Sequence, residues 1–127
     1  MSISIYYTAG RAQKLTERER DAMIAVTRKY SASDQIEEIE ECLRSHGGMN
    51  WEKGLYFYDD DLSPDSILEG STKLPDITEE AIWLSLQHWC KALSELRRAI
   101  PDADWRVHVD DHDIEWDADR QEYDPTI

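Results

Sequence analysis

The sequence predicts an α+β fold, in which an antiparallel or mixed sheet is packed by about three helices in the order β-α-α-β-β-α-β-β. Short segments with alternating apolar and polar residues, typical of strands, are interspersed with longer segments whose apolar residues recur every three or four positions, as in helices. A length of 127 residues fits one domain, and no internal repeat or long linker divides it. We therefore treat residues 1–127 as a single domain.

The first thirty residues predict a strand followed by a helix. The apolar residues that alternate along the strand are Ile3, Ile5 and Tyr7. Thr16 and Glu19 have the spacing of a capping box, in which the two side chains satisfy free N–H groups at a helix start. We expect this helix to run to about Tyr30. The residues predicted for its apolar side are Ala22, Ile24, Ala25 and Val26.

A second helix is predicted from Asp34 to just before Gly47. Its apolar residues share one face, and they are Ile36, Ile39, Cys42 and Leu43. Glutamates cover the rest of the helix, namely Glu37, Glu38, Glu40 and Glu41. Like charges three and four residues apart repel each other, which opposes the formation of this helix.

The middle of the chain predicts two strands and then the longest helix. The strands, at 55–58 and 67–74, are separated by turn-forming residues, and Gly70 marks a weak point or a bulge in the second. The helix extends from about Glu79 to Ile100. Its apolar stripe consists of Ile82, Leu86, Trp89, Cys90, Leu93, Leu96 and Ile100. We expect this helix to form the centre of the core.

The C-terminal segment predicts further short strands. Apolar residues alternate with polar ones at Trp105, Val107 and Val109. Ile114 and Trp116 mark another strand, residues 117–120 form a turn, and Tyr123 lies on a short return strand. These elements complete the predicted sheet.

The charge of the chain bears on the class of its partner. Acidic residues number 28 and basic residues 14, which gives a net charge of −14. This charge repels nucleic acids and anionic membranes, whereas it attracts a basic protein. The acidic residues concentrate in 31–70 and 101–127, while residues 1–30 carry six basic and three acidic residues.

Cysteine content and hydrophobicity indicate a cytoplasmic protein. Two cysteines, Cys42 and Cys90, are too few for a disulfide framework. The first residues lack the basic and apolar segments of a secretory signal peptide. No apolar run approaches the roughly 20 residues that cross a bilayer.

One motif raises the alternative of a metal-dependent enzyme that uses His108, Asp110 and His112. In an extended strand the two histidines would lie about 13 Å apart, so only a turn at 110–111 could bring them to one ion. Cys90 lies on the apolar stripe of its helix, where a thiol is usually inert. We therefore expect neither a metal site, nor another cofactor, nor enzymatic activity.

Several segments carry a resemblance to a known group of proteins. They are LEGSTKLP at 68–75, HWC at 88–90 and HVDDHD at 108–113, with Trp116-Asp117 and Tyr123-Asp124-Pro125. With these segments the chain resembles the small acidic immunity proteins of bacterial contact-dependent growth inhibition systems. The resemblance implies a cytoplasmic protein that binds the C-terminal domain of a cognate toxin 1:1 and neutralises it. Many such toxins are nucleases, and a nuclease that grips phosphates is basic.

The acidic clusters are the predicted contacts with this toxin. Trp89 and Trp105 are expected in the core, whereas Trp116 is a candidate interface anchor because tryptophan is enriched at binding hot spots. The predicted partner-binding residues are Glu37, Glu38, Glu40, Glu41, Asp59, Asp60, Asp61, His108, Asp110, Asp111, Asp113 and Trp116. Besides the metal-dependent enzyme, an acidic adaptor for another basic partner remains an alternative.

Overall fold

A computed structural model describes residues 3–44, 51–58, 65–75 and 78–126. These residues form an α+β fold, which confirms the predicted class and the predicted order of its elements. In chain order the elements are β1 (Ile3–Gly10), α1 (Glu17–Ser31), α2 (Asp34–Arg44), β2 (Tyr56–Phe57), β3 (Ser66–Leu74), α3 (Glu79–Ala99), β4 (Asp104–Val109), β5 (His112–Asp113), β6 (Glu115–Asp117) and β7 (Glu122–Asp124). None of the helices in the described ranges combines the length and hydrophobicity that a bilayer crossing requires.

The main sheet has β1 at its centre. Within the described residues its strand order is β2-β3-β1-β4-β5, and each neighbouring pair is antiparallel. Tyr7 of β1 stands opposite Gly70 of β3 on one side and Val107 of β4 on the other. Strands β6 and β7 form a separate antiparallel hairpin that contacts α3.

One face of the main sheet is buried against α3. Because side chains alternate along a strand, Ile5, Tyr7 and Ala9 of β1 all face the core, where each is buried. Helices α1 and α2 pack in turn against α3. The described residues that alternate to the opposite face are exposed or half-buried: Ser4, Tyr6, Thr8, Glu69, Ser71, Lys73, Asp104, Arg106 and His108. We call this the open sheet face.

Helix α3 has the predicted role at the centre of the core. Most of its predicted stripe is buried, namely Trp89, Cys90, Leu93, Leu96 and Ile100, whereas Ile82 and Leu86 are half-buried. His88, Ser85 and Ser94 are buried as well. The burial exceeds one stripe because the sheet, two helices and the β6–β7 hairpin surround α3.

Helix α1 begins with the predicted capping box, but the prediction of its apolar side is only partly correct. Thr16 Oγ1 accepts a hydrogen bond from Glu19 N at 3.1 Å, and Thr16 N donates to Glu19 Oε1 at 2.8 Å. Met23 and Val26 pack against the core, whereas Ile24 is 51% exposed. The helix contains no buried residue, so it docks by a narrow line of half-buried side chains.

Gly70 allows β2 to approach the core closely and is not the predicted bulge. The register of β3 against β1 is regular at Gly70, and it shifts between Ala9 and Gly10 of β1. A Cβ atom at Gly70 would lie 2.1 Å from the carbonyl oxygen of Tyr56. The ring of Tyr7 occupies this space. Its hydroxyl accepts a hydrogen bond from Tyr56 N at 2.8 Å and lies 3.0 Å from Thr72 Oγ1.

Candidate functional site

Two groups of the predicted acidic residues lie toward the same end of the main sheet. At this end β1 begins and β3 ends, because Ile3 pairs with Leu74. Helix α3 also starts here, since Glu79 follows Leu74 after only four residues. The turn between β4 and β5 is also there, since Ile5 pairs with Val109. Helix α2, with its four glutamates, packs against the first turns of α3 through Ala81.

A cleft of about 630 Å³ lies between α2 and the start of α3. Its acidic lining residues are Asp34, Glu37, Glu38, Glu41 and Glu80, and the others are Cys42, Thr78 and Leu84. We call it the acidic cleft. No basic side chain is among the lining residues in the described part of the chain.

The apolar face of α2 determines which of its glutamates reach the acidic cleft. Ile36, Ile39 and Leu43 are buried, which turns Glu37, Glu38 and Glu41 toward solvent. The opposite wall is the first turn of α3, where Thr78 Oγ1 accepts from Ala81 N at 3.0 Å. The positive end of the α3 dipole offsets part of the repulsion among the carboxylates.

The four predicted glutamates of α2 are not equivalent. Glu40 lies outside the acidic cleft and forms an ion pair with Lys53. Glu41 pairs with Arg44 at 3.3 Å, and both side chains are exposed. Among the described residues no basic nitrogen lies within 4.0 Å of Glu37 or Glu38, so these two carboxylates are the most available to a partner.

The second acidic group surrounds the β4–β5 turn. Asp110 has a positive φ of 51°, and its carbonyl oxygen accepts from His108 Nδ1 at 2.8 Å. Asp110 and Asp111 are exposed, whereas Asp113 pairs with Arg106 at 3.0 Å. Among the described residues the turn therefore presents two carboxylates without an ion-pair partner beside one that is already paired.

The β4–β5 geometry does not bring the two histidines to a common ion. Val109 stands opposite His112, and His108 stands opposite Asp113. Because neighbouring side chains on a strand point to opposite faces, His108 and His112 project from different faces of the sheet. The described ranges contain no group of three or more residues that could together hold a metal ion.

Trp116 packs against the protein itself. Its ring lies 4.2 Å from the guanidinium carbon of Arg97 and contacts the Tyr123 ring edge to face, with centroids 5.0 Å apart. Trp116 is half-buried, so it helps to hold the β6–β7 hairpin on α3.

Cys90 is buried as expected, and burial raises the pKa of its thiol to about 12.

The open sheet face adds aromatic residues that the sequence analysis did not select. Tyr6 is 38% exposed and stacks on His108 with ring centroids 5.1 Å apart. Tyr58 is 48% exposed, and its hydroxyl lies 2.8 Å from Ser71 Oγ. In the sequence, Tyr6 alternates out of phase with the apolar residues Ile5 and Tyr7 of β1, and this pattern could have predicted its exposure.

The remaining predicted contacts, Asp59, Asp60 and Asp61, lie outside the described residues. The resemblance to immunity proteins stays a prediction. No protein-family model, curated protein or solved structure matches the chain.

Proposed function

We propose that this chain is an immunity protein, which binds the basic C-terminal domain of a cognate toxin, a nuclease, in a 1:1 complex and neutralises it. The acidic cleft is the observation that supports this proposal most directly. Five carboxylates line it, and no described lining residue is basic. Such a surface fits the cationic groups with which a nuclease binds phosphates.

Electrostatic attraction supports the same proposal at longer range. A protein with a net charge of −14 attracts a basic domain before contact, and complementary fields raise association rates by roughly 10–10³-fold. Rapid capture is what an inhibitor needs when the toxin acts on an essential nucleic acid.

The β4–β5 turn extends the proposed contact surface. Asp110 and Asp111 lie at the same end of the sheet as the acidic cleft, and Tyr6 with His108 forms an aromatic pair next to them. Tyrosine is enriched at binding hot spots. We assign Glu37 and Glu38 the main role and the turn a supporting one.

The direct test uses the C-terminal domain of the protein encoded immediately upstream. Titration calorimetry measures binding to the purified chain, and growth of cells that express the domain measures protection. We expect a 1:1 complex and restored growth. Absence of both binding and protection would overturn the proposal and would leave the acidic adaptor as the better hypothesis.

A paired charge reversal locates the interface. We expect Glu37→Lys with Glu38→Lys to weaken binding by at least about tenfold, because like charges then face the toxin. The matched control, Glu115→Lys with Asp119→Lys, makes the same change in net charge at exposed residues of the β6–β7 hairpin. Equal weakening in both variants would place the effect in net charge and not in the acidic cleft.

A further inference from the structure

A second groove of the molecule has the opposite character. It has a volume of about 510 Å³ and lies between α1 and the strands β2 and β3. Its floor is apolar and includes Met23, Phe57 and Ile67, while Arg20 and Arg28 lie on its α1 side. We call it the basic groove. No acidic side chain is among its lining residues in the part of the chain that the structure describes.

Among the described residues neither arginine has an acidic partner, although the protein has twice as many acidic as basic residues. Four other arginines and two lysines of the described ranges form ion pairs, but no described carboxylate lies within 4.0 Å of Arg20 or Arg28. They are eight residues apart on α1, which separates them by about 12 Å along the helix axis. Their charges are therefore available to two carboxylates at that separation.

The apolar surface of α1 is exposed beside these charges. Ile24 lies between the two arginines on the same side of the helix and is 51% exposed. Because α1 has no buried residue, much of its apolar surface could still gain burial by docking.

We propose that the basic groove is a protein-docking site that takes an acidic amphipathic helix of a partner protein. The apolar side of that helix packs on Met23, Ile24 and Phe57, and two of its carboxylates, eight residues apart, pair with Arg20 and Arg28. In helix-in-groove recognition the docked helix presents apolar anchors at positions i, i+3, i+4 and i+7. An extended anionic membrane or nucleic acid fits less well, because it would bring many negative charges close to a chain of net charge −14, whereas the docked helix needs only two carboxylates.

This site is separate from the acidic cleft and does not depend on toxin binding. The two surfaces select partners of opposite charge, since one is lined by five carboxylates and the other is rimmed by arginines. A chain with both surfaces could hold a basic and an acidic partner at the same time.

The probes are three synthetic helical peptides of about 18 residues. Isolated helices of this length are stable enough in water to be tested. The first has a leucine stripe with two glutamates eight residues apart, the second has lysines for these glutamates, and the third has serines for the leucines. Fluorescence anisotropy measures each affinity, and phosphatidylglycerol vesicles test the lipid alternative. We expect binding of the first peptide alone.

Variants of the full chain then locate the bound peptide. We expect Arg20→Glu with Arg28→Glu to weaken binding of the first peptide by at least about tenfold. The control, Lys14→Glu with Arg18→Glu, makes the same charge change at exposed residues outside the groove. Ile24→Asp is a second groove variant at an exposed position, and thermal melting verifies the fold of each variant.

Each contrary result would overturn the proposal. These results are no binding of the first peptide, equal binding of the lysine peptide, equal loss in the control variant, or binding to vesicles without binding to the peptide. Methyl resonances of Met23 and Ile24 provide an independent readout, because the peptide must shift them if it lies in the basic groove.

Discussion

Gly70 shows how one missing side chain holds β2 on the sheet. A Cβ atom there would lie 2.1 Å from Tyr56 O and 2.5 Å from a ring carbon of Tyr7. We expect Gly70→Ala to lower the free energy of unfolding by about 1–3 kcal/mol, because backbone must move to relieve the overlap. Urea denaturation measures this loss. Gly54→Ala is the control, since its nearest contact is the movable Ser31 Oγ at 3.0 Å, and an equal loss there would contradict the explanation.

His88 links stability to pH. Burial lowers the pKa of its imidazole, and its Nε2 donates to the Tyr30 carbonyl oxygen at 2.7 Å. The unfolded chain binds a proton at His88 as the pH falls through about 6.5, before the native protein does, so stability is lost below that pH. We expect His88→Gln to reduce the loss of stability between about pH 7.5 and 5.5. Urea denaturation at both pH values measures this difference, and an unchanged pH dependence in His88→Gln would contradict the explanation.

Among the elements, α3 is the one on which the fold depends most. Leu93 is fully buried between the sheet and the outer helices, whereas Leu86 on the same helix is half-buried. We expect Leu93→Ala to lower the free energy of unfolding by about 2–5 kcal/mol and Leu86→Ala to lower it clearly less. The cavity left at the buried Leu93 collapses less easily than the one left at the half-buried Leu86. Chemical denaturation of both variants measures the difference. Equal losses would contradict the central position of α3.

The elements also show what sequence patterns could and could not predict. In α2 only one face is apolar, so the outward position of Glu37 and Glu38 followed from the sequence. In α1, five consecutive apolar residues at 22–26 leave several faces possible. The observed face is selected by tertiary contacts, including the bond between His88 and the Tyr30 carbonyl. The acidic cleft likewise requires two helices that are distant in sequence, and the pairing of Glu40 with Lys53 depends on the same tertiary arrangement.

At the scale of the whole molecule, charge affects folding and association in opposite directions. A net charge of −14 destabilises the compact state through self-repulsion, yet it attracts a basic partner. Salt screens both effects, since the screening length falls from about 30 Å at 0.01 M to about 8 Å at 0.15 M. The same increase in salt should therefore raise the stability of the free protein and slow its capture of the toxin.

We expect added salt to raise the urea midpoint of the free protein while lowering the association rate constant with the toxin by about tenfold or more. Stopped-flow fluorescence measures association, and the dissociation rate constant should change much less. Sodium chloride suits the test because sulfate strengthens apolar burial by itself. If the association rate constant were independent of salt, attraction by the acidic residues could not explain capture, and the contact would have to rely on short-range packing such as that offered by Tyr6 and His108.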